Sequence, residues 1–194
     1  MFESLEKLDH ALLLAVNGWN SPFFDEVFWW ISKTVVWIPV YLLGVFLLFK
    51  EFSWKTALTA TFLALIMVSF VDSSTTYLFK ETIQRYRPSH NLMLADHIHL
   101  YVKANGEIYK GGEFGFFSSH ASNNFAVALF LSLLLRNRYK WIVPISFFCA
   151  ALISYSRMYL GVHYPSDLLC GALWGMTWAF VFFRIFQATK LRLK

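Results

Sequence analysis

Residues 156–186 decide the fold, and they read SRMYLGVHYPSDLLCGALWGMTWAFVFFRIF. The first part of this stretch carries arginine, histidine and aspartate side chains, whereas the run from Leu168 to Phe183 has no charged residue. An apolar run of this length is typical of a helix that crosses a lipid bilayer. We therefore predict a membrane span at Pro165–Phe186, with a polar cluster at its beginning.

Upstream of this span, four other stretches have the length and apolar character that a span requires. They are Ser32–Phe49, Thr56–Phe79, Ser118–Leu135 and Trp141–Tyr155, the last of which is short and could extend through Arg157. Composition agrees, because 57% of the 194 residues are hydrophobic and 15% are charged, with a mean hydropathy of +0.48. These values exclude an ordinary soluble domain and predict an all-α, polytopic membrane helical bundle of five spans.

The N-terminal segment has a different pattern. In Leu5–Asn17, leucines recur at helical spacing between charged residues, which predicts an amphipathic interfacial helix on the membrane surface. Asn20-Ser21-Pro22 ends it, and Phe23–Trp30 begins a second helix that could continue into the first span, with a sixth span as the alternative. We expect one membrane domain over 1–194, with interfacial helices at 1–31, the transmembrane core at 32–186 and a basic cytoplasmic tail at 187–194.

The formal net charge is +5, but the basic side chains lie at the ends of apolar runs and in one motif rather than in a stripe. This distribution favours anionic lipid or phosphate over nucleic acid as the partner, and it indicates no obligate protein partner. Lys80, Arg87 and Arg157 have a chemical role, described below. When they are set aside, Lys and Arg are in excess on the side opposite to them, which places the polar segments 80–117 and 156–166 outside the cytoplasm.

Three polar segments at the outer ends of the predicted spans carry the chemistry, since charge there is costly unless it is paired or used. They are Lys80–Pro88 (KETIQRYRP), Ser118–His120 (SSH) and Ser156–Asp167 (SRMYLGVHYPSD). The predicted topology brings all three to one membrane face. Their cations Lys80, Arg87 and Arg157 suit the oxygens of a phosphate group. The Ser118 hydroxyl and the N–H groups at a helix start would add to this binding.

A histidine supplies the nucleophile. His163 and Asp167 are four residues apart, and Pro165 suits the first turn of a helix, so the carboxylate can hydrogen-bond the imidazole. That bond leaves the other ring nitrogen free to attack phosphorus. His120 is placed to protonate the leaving oxygen as a general acid. We expect a phosphohistidine that water then hydrolyses.

The pattern Lys-x6-Arg-Pro, Ser-x-His and Ser-Arg-x5-His-x3-Asp resembles the type 2 phosphatidic acid phosphatase superfamily, in its bacterial membrane branch, over residues 72–175. This superfamily of lipid phosphate phosphatases is related to the vanadium haloperoxidases. The resemblance implies a metal-independent phosphatase without a cofactor, in the bacterial inner membrane, with its active site on the periplasmic or extracytoplasmic face. It assigns catalysis to His163, His120 and Asp167, and phosphate binding to Lys80, Arg87, Ser118, Ser119 and Arg157.

The second motif departs from the usual Pro-Ser-Gly-His, because Phe117 and Ser119 replace the proline and the glycine. The backbone N–H survives at Ser119, so it can still bind phosphate. The resemblance implies undecaprenyl pyrophosphate, phosphatidylglycerol phosphate, phosphatidic acid or lipid A phosphate as substrate. Two alternatives stay open: a lipid phosphotransferase that uses the same intermediate, and a non-catalytic protein that binds or transports lipid phosphates.

Other residues have a plainer interpretation beside a functional one. Asp72 lies inside the second span, where an acid is a functional hypothesis, although a structural partner on a neighbouring helix is favoured. His97 and His99 could suggest a metal site, but without a third ligand they are better explained as loop residues or headgroup contacts. Phe28, Trp29, Trp30 and Trp37 form an interfacial aromatic belt or the lateral entrance for a lipid tail.

Overall fold

The structure is a computed structural model that describes residues 2–192, and the side chains of residues 4–190. Within these residues the chain is helical, and the only β pairing consists of two isolated bridges. The helices are α1 Phe2–Asn17, α2 Pro22–Ile31, α3 Thr34–Glu51, α4 Trp54–Ser74, α5 Glu81–Ile83, α6 Ser119–Leu135, α7 Ile142–Tyr159 and α8 Pro165–Arg192. A π-helical turn, Thr75–Lys80, joins α4 to α5, and the loop between α5 and α6 contains two 3₁₀ turns.

Four helices of the described chain are long and apolar enough to cross a membrane: Thr34–Glu51, Trp54–Ile83, Ile142–Tyr159 and Pro165–Lys190. The fifth predicted span forms the shorter apolar helix α6, which packs against α4, α7 and α8 in the middle of the bundle. The predicted all-α membrane bundle is confirmed. The predicted extension of the fourth span through Arg157 is also present, since α7 ends at Tyr159.

Two glycines of α8 allow this helix to touch α6 backbone to backbone. A Cβ atom at Gly171 would lie 2.7 Å from the carbonyl oxygen of Ser118, and one at Gly175 would lie 1.9 Å from that of Ser122. Real Cβ atoms do not approach backbone oxygen this closely, so any larger residue would push the two helices apart. The close contact places the start of α8 against the start of α6, where the predicted catalytic motifs lie.

The N-terminal prediction is confirmed in outline. Helix α1 ends at Asn17, and Ser21 caps α2 by accepting a hydrogen bond from the N–H of Phe24. Helix α2 has ten residues, too few to cross a bilayer, and Ser32 and Lys33 separate it from α3. The structure therefore gives no support to a continuous helix or to a sixth span. In the predicted tail, residues up to Arg192 continue α8, while residues 193 and 194, like residue 1 of the interfacial segment, lie outside the described residues.

Helix α1 is amphipathic, but the leucine spacing predicts only its exposed apolar side. Leu5, Leu8 and Leu12 are exposed, as expected for a lipid-facing stripe, whereas Asp9, Leu13 and Asn17 are buried. The Asn17 amide donates hydrogen bonds to the carbonyl oxygens of His99 (2.8 Å) and Tyr159 (2.7 Å). The polar face thus attaches α1 to the rest of the protein.

The long loop between α5 and α6 folds over the same end of the bundle. His99 Nε2 lies 2.9 Å from the Asp25 carboxylate of α2, and Tyr101 stacks on Trp29. Phe28 packs against Tyr159. Trp30 is exposed. Phe28 and Trp29 therefore pack against α7 and the loop. They are not purely lipid-facing residues, as a simple interfacial aromatic belt would require.

Candidate active site

The three predicted motifs meet at one end of the bundle. The arginines Arg87 and Arg157, the imidazole of His163 and the carboxylate of Asp167 are all buried there. Direct contacts between the motifs include Lys80 with Ser119, Arg87 with His163, and Ser118 with Asp167. The sequence predicted that the three motifs meet. They do so because each motif lies at a helix end, and these ends are on the same side of the bundle.

His163 is held by both of its ring nitrogens. Nδ1 lies 3.3 Å from Oδ2 of Asp167, and Nε2 lies 2.7 Å from a terminal nitrogen of Arg87. A guanidinium can only donate hydrogen bonds, so Nε2 is the acceptor and carries a lone pair. The proton then lies on Nδ1, which donates to Asp167. This is the tautomer that a histidine nucleophile requires.

The surroundings keep this imidazole neutral. Burial lowers the pKa of His163 well below its ordinary value of 6.5, and the positive charges of Arg87 and Arg157, followed by the nearby His120 and Lys80, lower it further. A protonated ring would have no lone pair at Nε2. The same cations that suit a phosphate therefore keep His163 in the neutral form that a histidine nucleophile would require.

Asp167 is saturated with hydrogen-bond donors. Its Oδ2 also accepts the backbone N–H of Tyr164 at 3.0 Å, and its Oδ1 accepts from Arg85 at 2.9 Å. Its own carbonyl oxygen accepts the N–H of Ser118. An anion with three fixed donors cannot rotate away from the imidazole, so Asp167 holds His163 in one orientation.

Sequence reasoning missed Arg85, which lies two residues before the motif arginine. One terminal nitrogen donates to Asp167 and to Ser166, and the other donates to Asp9 of α1 at 2.7 Å. Burial alone would lower the pKa of Arg85, but the two carboxylates outweigh it and raise the pKa. The charged residue Asp9, which lies between Leu8 and the leucines at 12–14 of α1, was the signal available in the sequence.

Arg87 and Arg157 present donors without protein partners. The Nε atoms of both arginines are buried and, within the described chain, have no hydrogen-bond acceptor. Arg87 is anchored through the carbonyl oxygen of Val162 (3.1 Å), and Arg157 through the hydroxyl of Tyr109 (2.7 Å). Burial, with the charge of Arg157, lowers the pKa of Arg87 to about 10, so it is a cation at neutral pH. Such fixed, unsatisfied donors suit a phosphate.

The start of α6 supplies further donors. Ser118 is the N-cap, and its hydroxyl accepts the N–H of Ala121, while its own N–H is used by Asp167. The first N–H groups of a helix have no acceptor within it, which leaves those of Ser119 and His120 for an anion. Lys80 donates to the Ser119 hydroxyl at 2.6 Å. The prediction of an anion-binding helix start fits, except that the N–H of Ser118 is occupied.

Gly115 is a second residue that the sequence did not reveal. A Cβ atom there would lie 3.0 Å from Oδ2 of Asp167, 3.1 Å from the Arg87 side chain and 3.6 Å from Nδ1 of His163. The backbone of the loop therefore covers the histidine–aspartate pair at close range. The sequence does not predict the conformation of this loop, so it gives no signal that Gly115 lies close to His163 and Asp167.

An apolar cavity of about 460 Å³ leads from this site into the membrane part of the bundle. Residues of α3, α4 and α6 line it, and it reaches Ser119 and His120. His120 is thus placed between the phosphate-binding residues and the apolar space. The other predicted candidates lie apart: His97 is exposed and His99 binds Asp25. Within the described residues, no group of three or more His, Cys, Asp or Glu side chains could hold a metal ion.

Fixed cations, unsatisfied donors and an unprotonated imidazole nitrogen suit a phosphoryl group, and their position beside a bilayer-deep apolar cavity defines a membrane-bound phosphatase. Comparison with known families supports this class. The family model described as the PAP2 superfamily matches residues 57–191, and the chain belongs to that superfamily. The resemblance seen in the sequence motifs is confirmed.

Two relatives are similar over nearly the whole chain, and both are named lipid A 4'-phosphatase. The protein of Bacteroides thetaiotaomicron is 36% identical over 195 residues, covering 100% of this chain and 84% of the relative. The protein of Porphyromonas gingivalis is 31% identical, covering 98% of this chain and 78% of the relative. With the family, they identify the chain as a hydrolase that acts on phosphomonoesters of membrane lipids.

Two crystal structures share the fold at 22% identity. The PAP2-type phosphatidylglycerolphosphate phosphatase of Bacillus subtilis has a TM-score of 0.68 and aligns with 98% of this chain and 88% of its own. LpxE of Aquifex aeolicus has a TM-score of 0.64, with 91% and 95% covered. The helical arrangement is therefore one that membrane phosphatases use.

Proposed function

We propose that the protein removes a phosphate monoester from a lipid A-type phosphoglycolipid, at the extracytoplasmic face of the inner membrane, through a phosphohistidine. The observation that carries the chemistry is the 2.7 Å contact between Nε2 of His163 and Arg87, because a guanidinium can only donate and Nε2 must therefore carry a lone pair. The choice of lipid A among the lipid phosphates rests on the two relatives that match along the whole chain.

The first step transfers the phosphoryl group. A phosphate bound by Lys80, Arg87, Arg157 and the start of α6 meets Nε2 of His163, because Arg87 touches both. Nε2 attacks phosphorus, and the bond between phosphorus and the lipid oxygen breaks. His120 donates a proton to that oxygen, so the lipid leaves as an alcohol. The proton on Nδ1 stays hydrogen-bonded to Asp167, which stabilises the positive charge of the phosphorylated ring.

The second step releases phosphate. His120, now neutral, accepts a proton from a water molecule, which attacks phosphorus as the bond to Nε2 breaks. Inorganic phosphate leaves and His163 regains its lone pair. Three fixed cations supply the charge that stabilises the transferring oxygens, so we expect turnover to continue in the presence of a chelator.

The test is phosphate release from purified protein in micelles. Lipid A, phosphatidic acid, phosphatidylglycerol phosphate and undecaprenyl pyrophosphate are assayed side by side, with EDTA present. We expect lipid A to give the highest kcat/KM and His163→Ala to abolish release. His97→Ala is the matched control, because His97 is an exposed loop residue, and it should leave the rate unchanged.

Trapping identifies the intermediate. Lipid labelled with ³²P and mixed rapidly with the enzyme should give labelled protein that is stable in base, labile in acid and absent from His163→Ala. Label that passes to a second lipid instead of free phosphate would show a phosphotransferase. Activity that persists in His163→Ala would overturn the assigned nucleophile, and failure to hydrolyse any of the four lipids would overturn the function.

Orientation has a separate test. The exposed Asn105 lies in the loop over the active site, and the exposed Asn137 follows α6 at the opposite end. Single cysteines at these positions, in a chain with Cys149 and Cys170 replaced by serine, are treated with a membrane-impermeant maleimide in spheroplasts. We expect Asn105→Cys to react at once and Asn137→Cys to react only after permeabilisation. The reverse pattern would place the site in the cytoplasm.

A further inference from the structure

The cavity beside the active site contains a charge that the mechanism does not use. Asp72 of α4 lines this space of about 460 Å³, together with mostly apolar side chains. It lies eight residues, or about two helical turns and roughly 12 Å of helix, before Lys80. A carboxylate at this depth is costly unless it is paired or used.

Asp72 has little pairing within the protein. Its one hydrogen bond in the described part of the chain comes from the side-chain amide of Asn123 on α6, at 3.0 Å from Oδ1. The ion pairs of that part involve other acids. The sequence-based interpretation of Asp72 as a structural partner of a neighbouring helix therefore accounts for Oδ1 and leaves Oδ2 without a hydrogen bond from the described residues.

Asn123 adds a second acceptor. Because its N–H group is directed to Asp72, its carbonyl oxygen Oδ1 is left over, and this atom is buried without a hydrogen-bond partner. A carboxylate and an amide oxygen can only accept hydrogen bonds. What binds between them must donate, and it must lie in an apolar space that begins at the phosphate-binding residues Ser119 and His120.

We infer that Asp72 and Asn123 form a second recognition site for the lipid, which accepts a hydrogen bond from an amide N–H or a hydroxyl in its acyl region. This inference rests on the proposed function. It selects lipids with amide-linked or hydroxylated acyl chains over lipids whose chains are joined only by esters, because an ester carries no donor. With an ester lipid in place, the buried Oδ1 of Asn123 stays unsatisfied and Asp72 gains no donor, which is the less favourable outcome.

The test uses two synthetic substrates that share a sugar phosphate. One is an acylated glucosamine phosphate with amide-linked hydroxyacyl chains, and the other is the corresponding glucose phosphate with ester-linked, unsubstituted chains. The measurement is the ratio of their kcat/KM values. For wild type we expect the amide lipid to be preferred. For Asp72→Leu the ratio should fall by about tenfold to a hundredfold, the worth of a hydrogen bond to a charged acceptor.

Two further variants separate recognition from folding. Asp72→Asn keeps the shape and one acceptor, so its ratio should lie between those of wild type and Asp72→Leu. Thr61→Val is the matched control, because Thr61 lines the same cavity while its hydroxyl donates to the carbonyl oxygen of Ala57; its ratio should equal that of wild type. If Asp72→Leu does not fold, Asp72→Asn alone decides.

A ratio that is the same in wild type, Asp72→Leu and Asp72→Asn would overturn the second site, as would an equal loss on both substrates. In either case, hydrolysis of both substrates by the wild-type enzyme still supports the proposed function. Failure of the wild-type enzyme to hydrolyse either sugar phosphate would instead overturn the proposed function. The two failures are therefore distinguishable in one set of assays.

Discussion

Arg85 donates a hydrogen bond to Asp167 across 2.9 Å, and this contact links the His163–Asp167 pair to the N-terminal helix. The other end of the same guanidinium binds Asp9 of α1 at 2.7 Å. Asp9 also accepts the backbone N–H of Ser166 at 2.9 Å. A chain of contacts thus runs from the N-terminal helix through Arg85 to the acid that orients His163.

Replacing Arg85 by glutamine should lower kcat while leaving KM nearly unchanged, because Arg85 touches Asp167 and is not among the residues proposed to hold phosphate. We expect a loss of about tenfold to a hundredfold, as is typical when an outer partner of a reactive group is removed. Lipid phosphate hydrolysis by the purified variant measures both constants. Arg85→Lys should restore part of kcat, since a cation is returned.

The matched control for Arg85 is Lys103→Gln, which removes a basic loop residue that pairs with the exposed Glu107. It should have wild-type kcat and KM. Asp9→Asn keeps an acceptor for Arg85, and its loss should be smaller than that of Arg85→Gln. A rise in KM with unchanged kcat in Arg85→Gln would show that Arg85 binds substrate and does not position Asp167.

Asp167→Asn should be more damaging than its small change in shape suggests. An amide can donate its N–H to Nδ1 of His163, which then carries the lone pair, so the proton moves to Nε2 and the attacking nitrogen is lost. The corresponding change in a serine protease triad costs about 10⁴ in kcat, and we expect a loss of that order. Single-turnover formation of the labelled intermediate measures it. An intermediate that forms at the wild-type rate in Asp167→Asn would contradict the assigned tautomer.

The pH dependence of His163 follows from its surroundings. Burial and the neighbouring cations lower its pKa well below 6.5, so the ring should be neutral at pH 5.5, with its proton on Nδ1. NMR of protein labelled with ¹⁵N-histidine measures this, and the spectrum of His163→Gln identifies the resonance. A doubly protonated His163 at pH 6 would contradict the prediction.

The same shift affects stability, with a defined sign. The unfolded chain protonates this histidine near its ordinary value of about 6.5, whereas the folded protein resists protonation. Stability is therefore fully present above that value and declines as the pH falls toward the lower pKa of the folded state. The midpoint of thermal unfolding should fall less between pH 7 and pH 5 in His163→Gln than in wild type.

Gly175→Ala should destabilise the bundle, because its methyl group would lie 1.9 Å from the carbonyl oxygen of Ser122. Overpacking of this kind costs about 1–3 kcal/mol, and it would also shift α8, which carries Asp167, relative to α6. Gly112→Ala is the control, since a Cβ atom there meets nothing within 4 Å. Equal unfolding midpoints for the two variants would show that α6 and α8 do not depend on this contact.

Much of the fold was predictable because a membrane span is recognisable from its own residues, as a long apolar run with charged residues at its ends. The pair His163 and Asp167 was predictable for the same reason, since His163 lies two residues before α8 and Asp167 lies in its first turn, so the contact is local in the sequence. The start of α6 followed from Ser118, whose hydroxyl caps the helix as serine commonly does.

The remaining contacts join residues that are far apart in the chain. Arg85 meets Asp9 only after α1 has packed on the loop, and Gly115 reaches Asp167 only because the loop folds back over α8. Neither hydrophobic periodicity nor motif spacing in the sequence predicts contacts of this kind. For Asp72, the sequence showed the cost of a membrane acid but not the cavity that makes it useful.

The order of the helices along the chain has a consequence for biosynthesis. The ribosome makes Lys80, Arg87 and Ser118 well before His163 and Asp167. The earlier residues cannot form the site until Gly171 and Gly175 of α8 have packed against α6. We therefore expect a nascent chain that has inserted only its first four spans to be inactive, because it lacks α8 and with it Asp167. On the proposed mechanism, activity should begin only when the last helix enters, so we expect incomplete chains to leave the lipids of the receiving bilayer unchanged.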